Sequence, residues 1–236
     1  MTVVKEVIDA MKLLADGIKS METFISACKD GRKFLKSQHP DVGQDLSVMC
    51  SEIRKTLLAM ADASAVVTNF RFTVAGSALD AEPRKFNDAF IAHKPKEIML
   101  RQQIETSRGR CRKIETHAME MEKKATSHGF SSLFSLLGVK SKKQEKVLST
   151  TLWKIYNEDM MFHTVVQQMT VAVVATFKAV QDKLGPAGTM NPANVSKAAK
   201  TLSEHAKKFE EIESKCNHLA GELEAIIDEI NPQGSK

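Results

Sequence analysis

Apolar residues return every three or four positions along almost all of this 236-residue chain. That interval admits one kind of architecture. Steps of three or four keep side chains on one face of a helix, whereas a strand needs steps of two. Five long stretches carry the pattern. The first runs Val4, Ile8, Met11, Ala15, Ile18, Met21, Ile25, Cys28, with steps alternating four and three. The second runs Leu46, Met49, Ile53, Leu57, Met60, Ala63, Val67, Phe70 and fades near Phe72 to Val74, leaving room for a locally extended piece before Gly76-Ser77. The third, over about 96–127, uses Leu100, Ile104, Cys111, Ile114, Ala118, Met121 and Ala125. The fourth, over about 141–184, runs from Leu148 through Phe162, Met169 and Phe177 to Leu184. Trp153, Tyr156, Met160, Val165, Val171 and Val174 widen its apolar face, so it is expected at the centre of the fold. The fifth opens on Asn191 as cap, with Pro192 in the first helical position, and carries eleven seam residues from Val195 to Ile230.

Helices of about 30 to 40 residues span roughly 45 to 60 Å, against a mean globular helix of about 11 to 12 residues. The expected fold is therefore all-α. It is an elongated antiparallel bundle of about five long helices, with short capping helices near 83–93 and 130–137. Behind Pro83, the residues Phe86, Phe90 and Ile91 supply the first of these caps. Residues 1–231 form a single elongated helical-bundle domain and 232–236 a loose C-terminal tail. With neighbours alternating in direction, the turn at His39-Pro40, the 130–140 segment and the C-terminus share one end. The connection 76–96 and the turn 185–190 share the other.

Composition narrows the functional classes. Hydrophobic residues make up 42% and charged residues 27%, the balance of an ordered globular chain. A net charge of +5 is too small to imply a nucleic-acid partner, but it leaves attraction to an anionic surface open. No run of about 18 apolar residues occurs, so no ordinary membrane-spanning helix is encoded. The N-terminus carries Lys5, Glu6 and Asp9 and does not resemble a secretion signal. Of the four cysteines, Cys28, Cys111 and Cys216 fall on apolar seams and Cys50 does not. The favoured reading is reduced core thiols in a cytoplasmic protein, with disulfides between neighbouring helices of a secreted protein as the alternative.

One segment departs from the repeat. Between the third and fourth helices stands Gly129-Phe130-Ser131-Ser132-Leu133-Phe134-Ser135-Leu136-Leu137-Gly138-Val139. Phe130, Leu133, Phe134 and Leu137 lie at i, i+3, i+4 and i+7, one face of two helical turns. Lys140, Lys142, Lys143 and Lys146 follow at once. Connections between helices are normally polar, and this one is not. Three readings are open. The unit is an end cap that buries its rings; or a tip that enters the acyl boundary while its lysines meet anionic headgroups; or a protein docking patch. Phe130, Leu133, Phe134, Leu136, Leu137, Lys140, Lys142, Lys143 and Lys146 are the candidate membrane- or partner-contact residues.

The search for chemistry returns little. No HExxH, no paired Cys-x-x-Cys and no Glu-x-x-His motif of di-iron bundles is present, so no metal or cofactor is expected. Gly185-Pro186-Ala187-Gly188 is a turn without the lysine or preceding strand of a phosphate loop. The basic run Arg108, Arg110, Arg112, Lys113 shares its helix with Glu105, Glu115, Glu120 and Glu122 and reads as a solvated face. On the fifth helix, acid gathers toward the C-terminal end, against the macrodipole preference, which calls for basic faces on partner helices. No catalytic residues, nucleic-acid partner or small-molecule substrate are expected. In architecture alone, the long helices with an apolar and basic element at one end resemble helical bundles that act on membranes. Examples are the helical pore-forming toxins and the bundle domains of necroptosis-type executioners. The resemblance implies a cytoplasmic or peripheral membrane protein that docks on an anionic surface, self-associates and permeabilises. The competing expectation is a coiled-coil-like scaffold that binds proteins through exposed helix faces.

Overall fold

The computed structural model describes residues 3–37, 40–76, 83–93, 154, 158, 162, 166, 168–186 and 191–230. The chain is an all-α helical bundle, and no strand occurs among the described residues. Helix α1 spans Val3–Ser37, α2 Pro40–Gly76, α3 83–93, α4 168–184 and α5 Pro192–Ile230; residues 154, 158, 162 and 166 ahead of α4 are also helical. At 35, 37 and 39 residues, α1, α2 and α5 are each roughly 50 to 60 Å long. The expected third helix over 96–127, the short helix at 130–137 and the tail at 232–236 lie outside the described residues.

Helix α2 follows its sequence pattern most closely. All eight seam positions from Leu46 to Phe70 are buried. Val74, four residues past Phe70, continues the seam, and the helix runs unbroken to Gly76. The extended piece expected near Phe72 to Val74 is thus corrected: the next buried position falls at helical spacing, and that packing outweighs a weak local β preference. Two buried hydroxyls on α2 are satisfied within the helix. Thr56 Oγ1 donates to the Glu52 carbonyl at 2.9 Å and Ser64 Oγ to the Met60 carbonyl at 3.0 Å, so their burial leaves no orphaned donor.

Helix α1 corrects the expected frame. Ile8 is 48% exposed and Ala15 faces solvent, while Val7, Met11, Leu14, Ile18, Met21, Ile25 and Cys28 are buried. The true seam takes Val7 and Leu14 in place of Ile8 and Ala15 and keeps the four-three alternation without a break. Phe24 and Ala27 widen it. In α4 and the turns before it, Phe162, Val166, Met169, Val173, Phe177, Val180 and Leu184 are buried as expected. Val171 is 42% exposed, because it shares a solvent stripe with Lys178 and Asp182. In α5 every seam position is buried except Ala199, which is partly buried and packs against the core.

Polar contacts fix the directions. As α2 runs from Arg54 through Thr68 to Arg71, its partners on α5 run backward from Glu224 through Glu213 to Glu210. The two are antiparallel, and this is the most extensive helix pair of α1, α2 and α5. Lys29 of α1 reaches Glu222 at 2.5 Å, and Cys28 meets Cys50, so α1 runs antiparallel to α2 and alongside α5. Ser20 bonds Glu158 through both side chain and backbone, which brings the approach to α4 against α1. The acidic C-terminal half of α5 is therefore balanced within the bundle, by Lys29 and Arg54.

The α4–α5 turn is built from local chemistry. Gly185 takes φ 74°, the left-handed conformation that closes a helix, and its N–H donates to the Gln181 carbonyl at 3.1 Å. Asn191 then caps α5: its Oδ1 accepts from the Asn194 N–H at 3.0 Å and its carbonyl from the Val195 N–H at 3.1 Å. Pro192 occupies the first helical position, where no N–H is needed. The buried side chains of all five helices form one continuous core.

Candidate interaction surfaces

The end of the bundle remote from the α1–α2 connection is held by rings. Phe70 of α2 lies 5.8 Å from Phe86 and 6.1 Å from Phe90, both tilted, and stacks on His93 at 4.9 Å and on Phe177 of α4 at 5.9 Å. Phe90 also meets Phe177 at 5.9 Å. Helix α3 thereby seals this end against α2 and α4, as Phe86 and Phe90 imply. Tilted and offset ring pairs contribute about 0.5 to 1.5 kcal/mol each beyond area burial. His93 Nδ1 is bonded to the Ala89 carbonyl at 2.8 Å, so the ring stacks without an unmet polar atom on that side.

The same half of the bundle carries the exposed apolar side chains. Phe72 is 59% exposed and Ile91 57%, and Ile8, Leu13 and Val171 join them. Ile91 was expected to pack inward with Phe86 and Phe90. It is instead one residue past the buried stripe of α3, about 100° around the helix. Beside Phe72, the Arg71 guanidinium lies 5.5 Å from the ring centroid while also pairing with Glu210. Arg71 is the pivot of two shallow open grooves between α2 and α5. One continues over Val74, Ser196, Lys200 and Ser203, the other over Lys207, Glu211, Ser214 and Lys215. The first sets Arg71 and Lys200 beside the apolar Val74, Ala75, Ala199 and Leu202, and the second is lined by ionic and hydroxyl side chains.

Among the described residues, few titratable groups lie in the interior. Burial pushes the Cys216 thiol up to about 12, and burial followed by the hydrogen bond and charge of Cys50 pushes Cys28 well above its ordinary value. Neither is an activated nucleophile. His205 of α5 is buried, its Nδ1 has no hydrogen-bond partner, and burial lowers its pKa, reinforced by Lys208 and opposed by Glu204. Among the described residues, no group of three or more His, Cys, Asp and Glu side chains is arranged to hold a metal ion. No described helix is long and apolar enough to cross a membrane.

All nine candidate contact residues named from sequence (Phe130, Leu133, Phe134, Leu136, Leu137, Lys140, Lys142, Lys143 and Lys146) lie outside the described residues. Sequence reasoning missed two features elsewhere. Cys50 was left off the seams, yet it is buried against Cys28. Phe72 sits next to the last seam ring, and its exposure was not anticipated; the only signal was its position two residues past Phe70, which turns it about 200° from the core. In comparisons with known proteins, the chain matches no family model, no curated protein and no solved structure.

Proposed function

We propose that this protein is a non-enzymatic bundle that acts by association from the cytoplasmic side. It docks on an anionic membrane surface through residues 130–146, then self-associates and permeabilises the bilayer. The observation that carries this reading is the pattern of that segment. Phe130, Leu133, Phe134 and Leu137 share one helical face, and Lys140, Lys142, Lys143 and Lys146 follow it. Each lysine near an anionic surface contributes about 1 kcal/mol, and the attraction weakens as salt screens it. The apolar face supplies the part of the binding that salt does not remove.

Flotation with vesicles of mixed phosphatidylcholine and phosphatidylserine tests the reading. Binding is expected at low salt and falls as salt rises, with dye release at higher protein loading. Phe134→Asp abolishes binding and leaves the melting temperature nearly unchanged. Absence of binding at low salt removes the proposal, and a drop in melting temperature for Phe134→Asp points to the end-cap reading.

The exposed Phe72 and Ile91 favour a second reading, a scaffold that meets other proteins at the ring-sealed end. Under it, Phe72→Ser with Ile91→Ser changes a concentration-dependent mass measurement and leaves vesicle flotation as it was.

A further inference from the structure

Along one side of α5 the charges read the same from either end with their signs inverted. From Lys197 to Glu222, positions at alternating steps of four and three lie on one stripe of the helix. The charged ones are, in order, Lys197, Glu204, Lys208, Glu211, Lys215 and Glu222. The first five are exposed, and Glu222 is half-buried beside Lys29 of α1. Among the described residues, none of those five exposed groups forms an ion pair. Glu204 with Lys208, and Glu211 with Lys215, stand four apart in the order that supports an isolated helix. Helix α5 has little need of that support, since its buried seam runs from Val195 to Ile230 and packing sets the stability of such a helix.

We infer that this stripe is the contact surface for a second copy of the chain. The two α5 helices lie antiparallel about a two-fold axis that passes between Lys208 and Glu211. Lys208 then faces the partner's Glu211, Glu204 the partner's Lys215 and Lys197 the partner's Glu222, and the symmetry makes each pair twice. Between the charged positions, Thr201 faces the partner's His218, a hydroxyl against an imidazole. Neighbouring registers fail. Sliding one helix by one heptad sets Lys197 on the partner's Lys215 in one direction and Glu204 on the partner's Glu222 in the other. A parallel pair in register sets every charge on its own kind. The pattern thus selects one direction and one register, and like-charge contact excludes the others.

Area sets the strength. The stripe is about 38 Å long and about 10 Å wide. It covers roughly 400 Å² on each copy, half of the about 800 Å² of a standard interface. The dimer is therefore weak. Lysine stems give it some apolar cover, and salt removes most of the attraction between charges that remain near water. The inference uses none of residues 130–146 and needs no membrane. It gives the self-association proposed above a surface, and its failure leaves the docking reading standing.

The test uses the full-length chain in solution. Sedimentation equilibrium over a concentration series at low salt is expected to show monomer and dimer in exchange, and high salt to shift the mixture to monomer. Isotope-labelled and unlabelled chains are then mixed and treated with a carbodiimide, which joins amine to carboxylate with loss of water. Peptides that combine the two isotopes should join Lys208 to Glu211, Lys215 to Glu204 and Lys197 to Glu222. Lys208→Glu brings like charges together and raises the dissociation constant more than about tenfold, as does Glu211→Lys. Lys208→Glu combined with Glu211→Lys exchanges the signs and recovers the dimer, which a role confined to one helix does not do. Phe134→Asp leaves the dimer as it was. Monomer at every concentration in low salt overturns the inference. So do mixed-isotope peptides joined only elsewhere, a double variant no better than the single ones, or a dimer lost with Phe72→Ser and Ile91→Ser instead. If a variant loses helix by circular dichroism, the cross-links of the wild-type chain decide.

Discussion

The two ends of the α1–α2 hairpin are held by opposite means. Remote from the turn, Phe70, Phe86, Phe90, His93 and Phe177 interlock as rings from three helices. Near the α1–α2 connection, the buried side chains are mostly aliphatic or sulfur-bearing (Ile25, Cys28, Leu46, Met49, Cys50 and Ile53), with ion pairs on the outside. Rings have shape and leave little freedom of register, so the remote end specifies how α2, α3 and α4 meet. Aliphatic and thioether side chains adapt their shape more readily and specify register less sharply. The bundle thus concentrates its ring packing at one end.

The largest expected effect tests that contrast directly. Phe70→Ala removes the ring shared by α2, α3 and α4 and costs about 3 to 5 kcal/mol, the range for truncating a buried aromatic. Cys50→Ala removes one sulfur atom and costs roughly 1 kcal/mol. Urea unfolding followed by circular dichroism gives both. Hydrogen exchange adds the location, with α3 losing protection first in Phe70→Ala. Equal losses for the two variants would erase the distinction between the ends.

Next come two changes near the α4–α5 turn, each on the order of 1 kcal/mol. Asn191→Ala leaves the Asn194 N–H without its side-chain acceptor and costs about 1 kcal/mol. His205→Leu removes a buried ring whose Nδ1 is unpartnered and gains about 1 kcal/mol at pH 7. The histidine also sets a pH signature. Burial, then Lys208, lower its pKa from the ordinary 6.5 in the folded chain. Unfolding therefore takes up a proton just below pH 6.5. Stability is full above that pH, falls as pH drops through the window and levels off below the folded pKa. The difference between wild-type and His205→Leu stability should widen as pH drops below 6.5. A gap that stays constant with pH would show that His205 titrates alike in both states.

These contrasts also show what a sequence conveys. In α2 a single frame of apolar residues exists, from Leu46 to Phe70, and every member is buried. In α1 two frames compete. Ile8 and Ala15 fit one, Val7 and Leu14 the other, offset by about 100° around the helix. A count of apolar matches barely separates them. Volume does, because Leu14 fills a core position better than Ala15. The caps at Gly185 and Asn191 were legible because they depend on a few adjacent residues. The contact of Cys28 with Cys50 was not, since it depends on the register between helices, which no local spacing encodes. The same holds for the basic partners of the α5 carboxylates. Charge balance demanded them, but only packing assigns Lys29, Arg54 and Arg71. For residues 130–146, the readings of cap, tip and docking patch differ in exposure. Periodicity gives the face of a helix but not what that face meets.

The smallest effects are expected from the ion pairs, and their order refines the comparison. Exposed and half-exposed pairs contribute about 0.2 to 1 kcal/mol. Arg54 holds Glu224 at 2.8 Å near the turn, with the glutamate more than half exposed, so Arg54→Ala belongs at the bottom of that range. Arg71 is the less exposed of the two cations, pairs with Glu210, and lies over the Phe72 ring. Its loss removes a charge contact, a ring contact and the cover its stem gives to apolar surface. Arg71→Ala is therefore expected near the top of the range, and Arg71→Met recovers part of the loss by restoring the stem. Raising salt should shrink the Arg54 effect more than the Arg71 effect, because screening acts on charge and not on packing. If both effects fell alike with salt, the ring-sealed end would owe its hold at Arg71 to charge alone, and the two ends would differ only inside the core.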